Sequence, residues 1–595
     1  MFTTRPDIRG TFGVATSTHW IVSSVAMAML ERGGNAFDAA VAGGFTLQVV
    51  EPHLCGPAGE VPILFHSATT GMTQVLCGQG VAPASASIAA FTALGLDMVP
   101  GSGLIAAVVP GSFDAWLLLL RDHGTMRLEE VMGPAIGYAE QGHPLLGGAA
   151  RALAGVSDAF RLEWPSALPV WMPGGESPRE GLLFRNPTLA ATWRRLLAAA
   201  GQGSRETQID RVRREWSQGF VADAVDRFSR AEPLMDSSGR RHAGFLTGQD
   251  MAGWQARYET PATTDYRGWT FCKTGPWGQG PVLLQALRLL DGFQIDAAML
   301  GGPDFIHLVL EAVKLAFADR EAYYGDPDFV DVPLGQLLSA EYAASRRGLI
   351  GDTASSDFRP GVVPGYEAQV ARGLGLIRQA SGLGGLGIGE PTMVHLQPTI
   401  KPNDTCHLDV IDRHGNMVSA TPSGGWPQSS PTVPGLGFAL NTRAQMFSLD
   451  PGVPASLVPG KRPRTTLTPT LALREGRPAL VCGTPGGDQQ DQWQLILLLR
   501  RIHGTASLQA AIDQPLFHSL HFPSSFYPRE ALPGVAVLEE SFGQATIEEL
   551  RRRGHQIEVA PAWSAGRLTA AERDADGILS AAATPRLMQA YAVGR

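Results

Sequence analysis

Apolar and polar positions follow two regimes along the chain. From Trp20 to Leu30 small and apolar residues recur at helical spacing, Gly33 and Gly34 stop that segment, and Asn35 stands where a cap opens a second helix over Ala36–Val50. A longer amphipathic helix is predicted over Asp304–Tyr323, with Ile306, Val309, Leu310, Val313 and Phe317 on one face and a Gly325–Pro327 turn at its end. Helices are thus expected to dominate the first 350 residues. Between Gly351 and Lys401 glycine and proline are frequent and the period fades, which predicts a mobile connector. Beyond it CHLDVID and MVSATP flank the turn Arg413–Asn416, and ALREGRPALVCG repeats the strand–turn–strand form. Two hairpins follow, with the C-terminal third a sheet covered by helices. No repeat of fixed period is present.

Composition narrows the class. With 48 Lys+Arg against 56 Asp+Glu the net charge is −8, so a polyanion-binding surface is not expected and nucleic acid is not a predicted partner. Five scattered cysteines, none in a CxxC pair, predict neither a disulfide framework nor a zinc cluster. The N-terminus has no basic start followed by an apolar stretch, and the run Trp116–Leu120 is too short to span a bilayer, so a soluble cytoplasmic protein without membrane contact is expected. Gly382, Gly384 and Gly387 spell GxGxxG, but no strand leads in and Pro391 forbids the helix that would hold phosphates; a nucleotide-dependent oxidoreductase has no other support.

The residues richest in chemistry begin where the connector meets a strand, at Asn403-Asp404-Thr405-Cys406-His407. Within 85 residues follow DRHGN, TPSGGW, PGKRPRTTLTPT and CGTPGGDQQDQWQ. Upstream stand GGNAFDAAVA (Gly33–Ala42), the EPH triplet Glu51–His53, VPGSFDAW (Val109–Trp116), GPWGQGP (Gly275–Pro281) and DFIHLVLEAVKLAFADR (Asp304–Arg320). In order and spacing this set resembles the gamma-glutamyltransferase family of N-terminal-nucleophile hydrolases over nearly the whole chain. The resemblance implies an α/β fold, a four-layer αββα sandwich, with residues 1–404 as a large subunit ending in the connector 351–404 and residues 405–595 as a small catalytic subunit, together one intertwined domain.

It also implies self-cleavage between Asp404 and Thr405. A threonine hydroxyl is a poor nucleophile until a base takes its proton, and a chain-terminal threonine carries its own base, an α-amine of pKa about 7.7–8.0. By resemblance, Gly486 and Gly487 are the oxyanion-hole donors, Thr465 and Thr466 stand where two serines contact substrate, and Ser423 stands where a threonine supports the nucleophile's amine. Those three exchanges keep a hydroxyl, whereas four further positions change the chemistry of the family pattern. Ile88 replaces an arginine for the substrate's α-carboxylate, Met446 an aspartate for its α-ammonium, Gly425 an asparagine, and Arg443 a neutral amide.

The expected activity is an autoprocessed amidohydrolase or acyltransferase acting on a carboxylate-bearing amide rather than glutathione, with Arg443 holding the carboxylate. No metal or cofactor is expected; the two fragments stay associated, and a homodimer of the processed unit is compatible with the sequence. Two alternatives stand beside this reading, an ordinary glutathione hydrolase and a silent binding protein of the same fold. His53, His407 and His414 are rival bases near neutral pH, with a structural role favoured for His407, two residues along the strand from Thr405. Asp488 and Asp491 either orient groups in the site or sit on a solvated loop.

Overall fold

The computed structural model describes residues 2–380 and 405–595. Helices form where the apolar spacing predicts them, over Trp20–Glu31, Ala36–Val50 and Pro303–Tyr323. Asn35 caps the second by accepting from the Phe37 and Asp38 N–H groups, and the Asp38 carboxylate accepts from the Asn35 N–H, so the first turn is satisfied reciprocally. Both hairpins are present and antiparallel, Leu408–Asp412 with Met417–Ala420 and Thr470–Arg474 with Arg477–Gly483.

The period underestimates how much strand precedes residue 351. One seven-stranded antiparallel sheet runs in the order Tyr591–Gly594, Gly13–Ser17, Leu408–Asp412, Met417–Ala420, Val61–Ser67, Met72–Gly78, Arg257–Glu259. The other runs Ile8–Gly10, Leu579–Ala583, Thr569–Arg573, Arg477–Gly483, Thr470–Arg474, Trp269–Lys273, Ala262–Tyr266. Half of these strands come from the first part of the chain. Val61–Ser67 is buried at every position, so its apolar run lacks the alternation that marks a half-exposed strand.

Side chains along each strand divide between two cores. Leu408 and Val410 pack with the helices Trp20–Glu31 and Ala36–Val50, while Ile411 turns the other way and meets Leu471, Val481 and Ala571 of the second sheet. In that sheet Leu480 and Cys482 pack with the helices Pro281–Leu290, Pro303–Tyr323 and Gln490–His503. A period of two thus gives each sheet one face toward helices and one toward the other sheet.

The segment after Gly351 is not irregular throughout, since Glu367–Ala380 is a helix. Val370 and Ile377 are buried and Leu374 packs against the same core, a helical spacing masked in sequence by Gly373 and Gly375. The glycine triplet Gly382, Gly384 and Gly387, and Asp404, lie outside the described residues. Among the described residues all five cysteines are free and buried, and no helix is long and apolar enough to cross a membrane.

Candidate active site

Thr405 lies at the entry to strand Leu408–Asp412, fully buried, and its backbone bridges to Ser423. Ser423 in turn bridges to Glu60, the two exchanging N–H to C=O bonds of 2.9 and 3.0 Å. Side chains follow the same path. The Thr405 hydroxyl donates to Ser423 Oγ at 3.3 Å, and Arg443 Nη2 donates to the same oxygen at 3.0 Å. Arg443 is buried, donates through Nε to Glu60 Oε1 at 2.6 Å and pairs with that oxygen through Nη2 as well. Its Nη1 reaches Met446 Sδ at 3.8 Å, and its guanidinium lies 4.9 Å from the Trp426 ring centroid and 5.9 Å from that of Phe526. Burial pushes the Glu60 carboxyl up and Arg443 pulls it back, while Glu60 Oε2 has no hydrogen-bond partner.

A second set of contacts ties Thr405 to the turn after strand Arg477–Gly483. Arg567 Nη2 donates to the Thr405 carbonyl at 2.8 Å, and the Arg567 N–H donates to Thr484 Oγ1 at 2.9 Å. Glu51, buried and pushed up by that burial, lies 3.7 Å from Arg567 and accepts from Thr18 at 2.5 Å and Gln589 at 2.6 Å. Gly486 and Gly487 take φ of +129° and +54°, and a Cβ on Gly486 would fall 2.2 Å from Trp493 Cζ3, so glycine is required there on both counts. Gln279 joins this turn to the threonine pair. Its N–H donates to the Thr465 carbonyl at 3.0 Å and its Nε2 to the Gly487 carbonyl at 3.4 Å. Thr465 Oγ1 accepts from the Leu467 N–H at 3.3 Å, closing a local turn, whereas Thr466 Oγ1 is buried with no partner. Of the two hydroxyls, Thr466 holds the unclaimed one.

The acidic residues after Gly487 are not on a solvated loop. Asp488 pairs with buried Arg320 and accepts from Ser525 Oγ at 2.6 Å; Asp491 pairs with Lys273 at 3.1 Å and accepts from Thr468 Oγ1 at 2.9 Å. Burial pushes the Asp491 carboxyl up and the Lys273 amine down. They anchor the start of helix Gln490–His503 and with it the Gly486–Gly487 turn.

Of the rival histidines, His407 is committed. Its Nδ1 meets Thr421 Oγ1 and its Nε2 meets Asp409 Oδ1, each at 2.9 Å, and a Cβ on Gly483 would fall 2.1 Å from the ring. His414 is exposed in its hairpin turn. His53 is buried, its Nδ1 is unpartnered, and burial followed by the charge of Arg567 pushes it down to about 3, so it stands neutral. His307, Glu311 and His555 bring donor atoms close enough for a metal ion. Those atoms are already engaged: His307 bonds His555 and the Gly351 carbonyl at 2.8 Å each, and Glu311 pairs with Lys314 and Arg359. The cations around Glu311 do not fit a metal centre.

The positions where the family pattern carries charge are apolar here. Ile88 opens the helix Ile88–Ala93 and packs on a cluster that includes Ala444 and Phe447, and Met446 packs with Trp426 and Phe526. Gly425, at φ +76°, lies so close to Gly56 that a Cβ would sit 3.1 Å from its Cα, leaving no easy place for an amide side chain. Glu60, Arg567 and Gln279 are the site residues that sequence reasoning missed. A weak signal existed for Glu60, a lone carboxylate in the apolar, glycine-rich run between Leu54 and Leu64.

The family model for gamma-glutamyltranspeptidase matches residues 22–594. The acylase ACY 1 proenzyme of Pseudomonas sp. (strain SE83) is 30% identical over 589 residues, covering 96% of this chain and 92% of the relative. The oxamate amidohydrolase proenzyme of Klebsiella pneumoniae subsp. pneumoniae is 30% identical over 591 residues, 97% of each chain. Among solved structures, LmbA2991HD superposes with a TM-score of 0.92 at 55% identity over 100% of both chains.

Proposed function

The chain belongs to the gamma-glutamyltranspeptidase family, and on that premise we propose that it is a self-processing amidohydrolase or acyltransferase whose nucleophile is Thr405. The observation that carries this is the pair of bonds fixing that residue, Thr405 hydroxyl to Ser423 and Arg567 to the Thr405 carbonyl. Cleavage of the Asp404–Thr405 bond frees the Thr405 α-amine. That amine accepts the hydroxyl proton as Oγ attacks an amide carbonyl, and the N–H groups of Gly486 and Gly487 hold the oxyanion. The proton then passes to the departing nitrogen, leaving an ester on Thr405. Water or an amine attacks the ester, giving up its proton to the α-amine, and the released Thr405 oxygen is reprotonated. Proenzyme relatives acting as an acylase and an oxamate amidohydrolase support both the processing and the amide chemistry.

Strand order supports fragments that stay together after the cut. Leu408–Asp412 and Met417–Ala420 lie between Gly13–Ser17 and Val61–Ser67, so separating the two pieces would break the ladders on both sides. The two sheets with their outer helices are read as the αββα sandwich of this family. For the substrate, the recognition end supports a carboxylate-bearing acyl group without an α-ammonium. Ile88 and Met446 offer no charge, so a single carboxylate is left to Arg443, which would bind it while paired with Glu60 and with Nη1 against Met446 Sδ.

The test of the base is a pH profile of kcat/KM. It rises through an apparent pKa near or below about 7.7–8.0, because function needs the neutral amine. His407→Gln keeps that limb, whereas loss of the limb in a folded, cleaved His407→Gln protein assigns the base to histidine instead.

A further inference from the structure

We infer that Glu60 is a positioning residue for the nucleophile, acting on Thr405 through Arg443 and Ser423. The inference deepens the reading of Thr405 as the nucleophile and rests on it. The four residues are joined twice. One connection is backbone: Glu60 bridges Ser423, and Ser423 bridges Thr405. The other is made by side chains, from Glu60 Oε1 to Arg443 Nε, from Arg443 Nη2 to Ser423 Oγ, and from the Thr405 hydroxyl to Ser423 Oγ.

The direction of these bonds carries the argument. A guanidinium only donates, so Ser423 Oγ must accept from Arg443, and it accepts from Thr405 as well. Ser423 Oγ thus accepts from both donors, and a Thr405 hydroxyl that donates to it turns its own lone pairs away from Ser423. That geometry requires Arg443 to keep its place. Glu60 holds it by two nitrogens on one oxygen, beneath the rings of Trp426 and Phe526. Glu60 is fully buried, spends one oxygen on Arg443 and leaves the other unpartnered. A buried carboxylate held in that state is costly, and its pairing with Arg443 offsets only part of the cost, which is the mark of a pair kept for the place it gives the cation. Glu60 also offsets the charge of Arg443, so the cation attracts an anionic acyl group less than a lone arginine would.

Two opposed effects follow in Glu60→Gln, which keeps the backbone bridge and removes the charge. Self-cleavage before Thr405 slows at least tenfold, read by intact mass as precursor surviving at harvest and converting on standing. With oxamate as probe kcat falls about tenfold while KM falls as well, because Arg443 is no longer offset; with acetamide, which has no carboxylate, KM does not fall. A loss of folded protein lowers apparent kcat without lowering KM, so the split separates positioning from damage. If the single variant does not fold, Glu60→Gln/Arg443→Met removes both buried charges, and it self-cleaves slowly once folded. Wild-type cleavage in either folded variant overturns the inference. An active, cleaved Thr405→Ala protein overturns the nucleophile assignment instead, so the two failures are told apart.

Discussion

The two ends of the site are built differently. At the end that holds the proposed nucleophile, Thr405, Ser423, Arg443 and Glu60 are buried and joined by directed hydrogen bonds, and Arg567 fixes the Thr405 carbonyl. At the recognition end, Ile88 and Met446 pack among apolar neighbours, and the nearby cation is already paired. Acyl transfer needs the first arrangement whatever the acyl group, because nucleophile, base and oxyanion donors act on atoms common to all amides. On the proposed reading selectivity depends on the second, where apolar side chains stand in place of the two charged ones of the family pattern.

This contrast predicts effects of different kind and size at the two ends. Gly486→Ala carries the largest, because the new Cβ meets Trp493 and the turn leaves its left-handed conformation. Loss of an aligned oxyanion donor costs about 100-fold or more in kcat, while circular dichroism reports a folded protein. At the recognition end, gamma-glutamyl-p-nitroanilide is a poor substrate beside oxamate. Arg443→Lys raises KM for oxamate by about tenfold and lowers kcat as well, since an ammonium cannot hold Glu60, Ser423 and a carboxylate together and Arg443 serves both ends. Efficient, saturable turnover of the glutamyl compound would reverse the assignment of that end.

The last effect is on stability and leaves the rate of the folded protein aside. His53 is pushed down to about 3 when folded, so between pH 6.5 and 3 the unfolded chain binds a proton that the folded chain refuses. Stability from this group is full above pH 6.5 and falls as the pH drops through that window, by up to about 1.4 kcal/mol per unit. His53→Gln therefore flattens the fall in urea midpoint from pH 7 to pH 4.5. Glu51 and Glu60, whose carboxyls are pushed up, act in the opposite direction, but they are common to both proteins and cancel in the difference.

The helices were legible because caps and period coincide, as at Asn35 and along Ile306–Phe317. Strands such as Val61–Ser67 were not, because burial on both faces removes the alternation that identifies a strand. Of the proposed site, Thr405, Ser423, Gly486 and Gly487 stand in short motifs that can be read locally. Glu60 and Arg567 do not, since their partners lie 383 and 162 residues away in sequence and only the strand order brings them together. Arg443 was legible as a cation but not as a paired one, for the same reason.

Intact mass of freshly purified wild-type protein beside Thr405→Ala decides whether Thr405 is the self-processing nucleophile. The wild type resolves into two chains, residues 1–404 and the remaining 191 residues beginning at Thr405, and hydrolyses its amide; Thr405→Ala stays a single chain of 595 residues and is inactive. A wild-type protein that is active as one uncut chain, or a Thr405→Ala protein that is still cut before residue 405, contradicts the assignment.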